Sequence, residues 1–176
     1  MQRLRKLRED ARQRFESLPW PSRTEEEWRR TDPSAFPLDQ VELTPEAGAI
    51  QAGWETPSLT QPGVVLTDLE TAVREFPGLV EEHLFQTGAP GGLKKFFSQH
   101  QAFWRSGLFC LVPRGVKLEL PLKAWVEACQ GSTAVFPHVL VVLEEGAEAT
   151  LMDERRGGNG LLFSNEMVEI ILKPDA

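Results

Sequence analysis

Five side chains in this 176-residue sequence carry chemistry that spacing alone could reveal as a site: the thiols Cys110 and Cys129 and the imidazoles His83, His100 and His138. Metal centres built from one chain show themselves by close pairs such as Cys-x-x-Cys. Here the thiols are 19 residues apart and no histidine lies within four positions of either, so the spacing predicts neither a metal centre nor a disulfide framework. Cys110 sits in the apolar run Leu108–Val112, where a free thiol behaves as a small hydrophobe. His83 follows Glu81 and Glu82 and reads as a surface histidine, and His138 after Pro137 as a solvated strand edge. A Cys–His nucleophile requires His100 or His138 to reach Cys110 in space, which only the fold decides. Gly157-Gly158-Asn159-Gly160 lacks the Lys-Ser/Thr of a phosphate loop and the Rossmann spacing, and reads as a mobile loop. Glu144 and Glu145 fall at a corner rather than on a strand face, unlike the acid clusters of polysaccharide-cleaving enzymes. No catalytic, metal-ligating or cofactor-binding residue is assigned.

The elements that would position these groups divide the chain in two. Hydrophobic content of 41% and charged content of 26% are those of a folded soluble protein, which excludes global disorder. No apolar run reaches the ~20 residues of a membrane span, and no export signal or transit peptide is evident, so a cytoplasmic protein is expected. Arg3, Arg5, Lys6, Arg8, Arg12 and Arg14 against Glu9 and Asp10 give the first 14 residues a charge of +4 and leave −11 on the rest, to total −7. An acidic body repels phosphate backbones, so nucleic-acid binding is not expected, and the basic start reads as a solvated helix face.

Leu4, Leu7, Ala11, Phe15 and Leu18 share one face of a helix over 2–18, which Pro19 and Pro21 end. Thr24-Glu25-Glu26-Glu27 has the form of a capping box opening a short second helix that Asp32-Pro33 stops. Residues 33–62 read as an irregular connection, 63–67 as a strand, 68–76 and 79–86 as short helices, and 93–105 as an aromatic-rich helix. Residues 1–105 thus form a mostly helical region. From 106 to 176 the period becomes two: Val116, Leu118, Leu120 and Leu122 alternate with polar residues and Pro121, and 138–143, 147–152 and 161–172 are strand-like.

This second part repeats. Residues 111–120 match 142–151 at an offset of 31, placing Leu111 on Val142, Gly115 on Gly146, Val116 on Ala147 and Leu120 on Leu151. A third copy begins at Ile171-Leu172, offset by 29, with Asp175 in the glycine slot. Glycine supports a tight corner because it tolerates positive φ, and Asp is one of the few substitutes. Repeats of this length point to a stacked architecture whose last strand edge is open to association, including pairing with a second copy.

Leu18-Pro19 through Glu26-Glu27-Trp28-Arg29-Arg30-Thr31-Asp32, together with Phe103–Leu122 (Gly107, Pro113, Gly115, Leu120-Pro121-Leu122), resembles the SufD side of the SufB/SufD family of iron–sulfur cluster assembly scaffolds. Pro137–Met152 resembles that family's next turn. Arg30 departs from the family's usual Tyr, and His100 from its usual Asn. The resemblance implies an α+β chain in which a helical N-terminal region leads into the first turns of a right-handed parallel β-helix. It also implies a longer, non-catalytic scaffold protein acting with a SufB-like subunit and a SufC-like ATPase, the iron–sulfur cluster being handled by the whole complex. On architecture alone, a carbohydrate-active β-helix enzyme or a generic β-solenoid adaptor are the alternatives.

Overall fold

The computed structural model describes residues 2–36, 43, 50–55, 61–89, 93–105, 107–128, 133–157 and 162–176. The amphipathic face predicted at the N-terminus forms α1 (Gln2–Ser17), with Leu4 and Ala11 buried. It packs antiparallel to α4 (Lys94–Phe103): Arg8 Nη2 donates to Trp104 O at 3.0 Å, and Arg14 Nη2 donates to Gln101 Oε1 at 3.0 Å. Lys95, 8% exposed, donates from Nζ to the carbonyls of Phe15 and Leu18 and lies 4.3 Å from the Phe15 ring centroid. Its charge therefore sits at the negative end of α1, on carbonyls that the helix terminus cannot satisfy itself.

The capping box expected at Thr24 is not used. The Ser22 backbone N–H instead donates to the Glu25 carboxylate at 2.9 Å, and only one 3-10 turn follows, Glu26–Trp28, without a side-chain cap. Two overlapping Ser/Thr-x-x-Glu pairs compete here, Ser22/Glu25 and Thr24/Glu27, and stacking of Trp28 on Phe96 (5.2 Å between ring centroids) holds the register. Asp32 then caps a second 3-10 turn, Pro33–Ala35, accepting from Ser34 N at 3.0 Å. Most of the irregular connection read at 33–62 lies outside the described residues, but Ile50–Glu55 is a strand, β1. Val65–Asp68 (β2) leads into α2 (Leu69–Glu75), capped by Asp68, and α3 (Pro77–His83) follows.

The remaining strands are β3 (Gly107–Val112), β4 (Leu122–Ala128), β5 (Thr133–Val135), β6 (His138–Leu143), β7 (Leu151–Arg156), β8 (Leu162–Ser164) and β9 (Met167–Leu172). They form three sheets, in the orders β2-β3-β6-β9, β1-β4-β7 and β5-β8. The right-handed parallel β-helix, and with it a β-solenoid, is not what the described residues form. The two larger sheets are mixed, because β2 joins β3 and β1 joins β4 antiparallel; the described strands make an open, layered α+β arrangement rather than a closed coil. The strand expected at 63–67 does form, as β2, but the repeat leaves open that it joins β3 antiparallel, and the segment that becomes β1 falls in the stretch read as irregular connection.

The internal repeat does set the parallel pairings. β3 pairs with β6 at an offset of 31 (Gly107↔His138), and β6 with β9 at 29 (His138↔Met167). Gly115, Gly146 and Asp175 occupy matching corners with φ of +69°, +67° and +61°, and Gly115 N donates to Glu145 O as Gly146 N does to Pro174 O. The aligned pair Leu120–Leu151 is corrected: Leu151 pairs with Leu122, at an offset of 29. The offset of 31 still holds at the Lys117–Glu148 bridge, so two extra residues are accommodated between Leu118 and Leu122. They interrupt the expected strand at 116–122 and leave Leu120 56% exposed while Leu118 and Leu122 are buried.

Strand alternation splits the core into two layers on either side of the four-stranded sheet. Phe109, Leu111, Leu140 and Val142 face a layer with the helices, including Leu4, Leu69, Phe96 and Trp104. Leu108, Cys110, Val112, Val139 and Val141 face Leu122 and Ala124 of β4.

Candidate functional site

The helix-facing side of that sheet brings three titratable side chains together with almost no solvent. His100 comes from α4 and is 0% exposed, His138 opens β6 at 0%, and Glu169 lies on β9 at 2%. Glu169 pairs in register with Leu140, so it shares the inward face with His138. His138 can start its strand flush against β3 because Gly107 is its register partner: a Cβ at Gly107 would lie 1.7 Å from His138 O.

Proton positions follow from the contacts. His100 Nδ1 is 2.8 Å from Asn165 O, a carbonyl that can only accept, so Nδ1 carries the proton. His100 Nε2, 3.0 Å from His138 Nδ1, then accepts from it. That leaves His138 Nε2 without a proton, 3.3 Å from Glu169 Oε2, and with no hydrogen-bond partner. Two neutral imidazoles bring two protons to three contacts, and a proton added between His138 and Glu169 completes the chain.

The surroundings keep the imidazoles neutral. Burial, with the neighbouring His138, pushes His100 down to about 3, against the hydrogen bond to Asn165. Burial also lowers His138, although Glu169 opposes it. For Glu169 burial acts upward, but contact with His138 and the backbone N–H groups of Phe85 and Thr87 outweigh it, and its pKa is lowered. Phe85 N donates to Oε2 at 2.7 Å, while Thr87 N and Oγ1 donate to Oε1 at 3.2 and 3.1 Å. Phe85 takes a left-handed φ of +58° to make this turn, and its ring packs edge-on against His138 at 4.9 Å. Asn165 Nδ2 completes the tie, donating to Phe96 O and Gln99 Oε1.

The cluster therefore fastens the turn after α3, helix α4 and strands β6 and β9 to one another. Its three side chains are at most 2% exposed, and His100 Nε2 and His138 Nδ1 are hydrogen-bonded to each other. Among the described residues no group of three or more His, Cys, Asp or Glu is arranged to hold a metal ion.

The candidates read from sequence are placed as follows. Cys110 is buried on the opposite face of the sheet from His138, so strand alternation keeps that thiol and imidazole apart, and burial raises the thiol to about 12. Cys129 and Gly158-Asn159-Gly160 lie outside the described residues. His83 is not a surface residue but 3% exposed, and His138 is not a solvated edge. Glu145 sits at its corner in an ion pair with Arg114, one copy of the repeat away. Sequence reasoning missed Glu169, Asn165 and Lys95; the available signal was a single carboxylate in the run Met167-Val-Glu-Ile-Ile-Leu172, on the same strand face as Met167 and Ile171. No helix among the described residues is long and apolar enough to cross a membrane.

No protein-family model matches the chain. It is similar to the iron–sulfur cluster assembly protein SufD of Bacillus subtilis, 35% identical over 95 residues, which take in 54% of this chain and 22% of that protein. A SufBD family iron–sulfur cluster assembly protein of Staphylococcus epidermidis is 30% identical over 123 residues, 67% of this chain and 26% of the relative. One of Mycobacterium bovis is 34% identical over 85 residues, 48% and 10%. The chain spans about a quarter or less of the length of these curated relatives.

Proposed function

We propose that this SufD-like chain is a portion of a non-catalytic scaffold subunit for iron–sulfur cluster assembly, working in the cytoplasm with a SufB-like subunit and a SufC-like ATPase. The observation that carries the reading is the 35% identity to a protein named for cluster assembly. The buried His100–His138–Glu169 cluster fits it, since it fastens helices to sheet and presents no open reactive group. In this reading the iron–sulfur cluster is cargo of the assembled complex.

The test is affinity purification of the protein from its own cells, followed by identification of what is retained. Retention of a SufB-like and a SufC-like protein, with lowered activity of iron–sulfur enzymes on depletion, supports the scaffold role. If neither partner is retained and those enzymes are unaffected by depletion, the reading is wrong.

A further inference from the structure

Lys94, Phe97, Ser98 and Gln101 recur at spacings of three and four, so they share one face of α4. Opposite that face stand the last turn of α1 and the turn that follows α3, and together they enclose a cleft of about 480 Å³. No acidic residue is among those lining it, in a chain whose net charge is −7. The cleft instead receives two cations, Arg14 and Lys94, and neither has an ion-pair partner among the described residues. Lys95, one position on, is by contrast spent on the carbonyls at the end of α1.

Two neutral donors on the α4 face are also unspent. Gln101 is 6% exposed and Ser98 3%. Gln101 Oε1 accepts from Arg14 Nη2 at 3.0 Å, which fixes the orientation of the amide and leaves its Nε2 end free to donate. Neither that Nε2 nor the Ser98 hydroxyl has a hydrogen-bond partner among the described residues, and neither is sealed from solvent, since both side chains open on the cleft. Polar groups this deeply buried are ordinarily bonded, so both lack the partner their position calls for. The rest of the wall is apolar: Phe85 and Phe97 meet edge-on with ring centroids 6.2 Å apart, and Leu18 lies beside them. The space is many times the ~30 Å³ share of a water molecule and falls in the size range of small-molecule sites. A bare inorganic anion would satisfy the donors but leave the aromatic wall unused.

We propose that the cleft between α1, the turn after α3 and α4 binds a small organic acid, a carboxylate on a short hydrocarbon stem. Arg14, Lys94, the Ser98 hydroxyl and the Gln101 amide hold the carboxylate, whose two oxygens accept from all four. Phe85, Phe97 and Leu18 take the stem. This site is independent of the scaffold reading, because it uses none of the residues that fasten α4 to the sheet.

The experiment is titration of the whole chain with butyrate at low ionic strength, following the Gln101 side-chain amide by NMR. Acetate, inorganic phosphate and chloride at matched ionic strength are the comparisons. The expected result is saturable binding of butyrate that shifts the Gln101 amide resonances, about tenfold tighter than acetate because two more methylenes meet the apolar wall. Lys94→Gln, a change at an exposed side chain, weakens butyrate by about fivefold and Ser98→Ala by about as much, whereas Arg12→Gln elsewhere on α1 leaves it unchanged. Ser98→Ala is also at least as stable as the wild type to urea, since the hydroxyl it removes has no partner to lose; a marked loss of stability would take Ser98 out of the site. A shift that chloride reproduces, or equal weakening by Lys94→Gln and Arg12→Gln, overturns the site in favour of diffuse attraction to exposed cations. Phosphate binding as tightly as butyrate overturns the assignment of a carboxylate with a stem.

Discussion

Replacing His100 with Asn isolates the energetic role of the buried imidazole. Asn can still donate to Asn165 O, as Nδ1 does at 2.8 Å, but it cannot titrate and cannot reach His138. At neutral pH the variant is less stable by about 2–4 kcal/mol, from the lost ring volume and the His138 donor left unpaired. The pH dependence is the sharper test. His100 is held down to about 3 from 6.5, so unfolding below pH 6.5 takes up a proton that the folded state refuses. This contribution is fully present above pH 6.5 and is lost as pH falls toward 3, at about 1.4 kcal/mol per pH unit. Between pH 6.5 and 4 the wild type therefore loses roughly 3 kcal/mol that the variant does not, and the gap between them closes by that amount. Urea unfolding at pH 7.5, 6.5, 5 and 4 measures it, provided the slopes agree. A gap that stays constant within about 0.5 kcal/mol over this range would refute the buried neutral His100.

Other outcomes follow from the same contacts. Glu169→Leu strands the donors of Phe85 and Thr87 and costs about 3–5 kcal/mol, whereas Glu169→Gln, whose amide can donate to His138 Nε2 while leaving one backbone donor unmet, costs about 1–3 kcal/mol; paired urea curves separate them. Gly107→Ala drives a methyl into the His138 carbonyl and abolishes folding or costs more than about 4 kcal/mol, while Gly115→Ala, at positive φ but with nothing within 4 Å of its Cβ, costs about 1–2 kcal/mol by thermal unfolding. Cys110, buried and with its thiol raised to about 12, resists alkylation in the folded protein at pH 8 and reacts once the chain is unfolded; peptide mapping by mass spectrometry that finds Cys110 modified under native conditions contradicts its placement.

Local patterns were legible wherever one residue type answers one local need. The spacing of Leu4 and Ala11 gave the buried stripe of α1, and Gly115, Gly146 and Asp175 marked corners because few residues accept positive φ. The parallel registers of β3, β6 and β9 follow from the same alignment. The sheet order was not legible, since β1 is six residues within a long connection and its pairing with β4 reaches across 68 positions at Glu55↔Lys123. The buried cluster was hidden for a related reason. His100, His138 and Glu169 are distant in sequence, and each alone looks like a solvated polar residue until alternation on β6 and β9 and the inward face of α4 bring them together.

The pair of surplus residues between Leu118 and Leu122 has a further consequence. Ladder contacts resume on both sides of the bulge, so chain length can change there without moving any strand that carries the histidines. Shortening the segment by two would bring neighbouring copies to equal length, and a tag or fluorophore spliced in at Glu119-Leu120 would leave the interior untouched. That makes it a natural point for labelling the protein without disturbing its core.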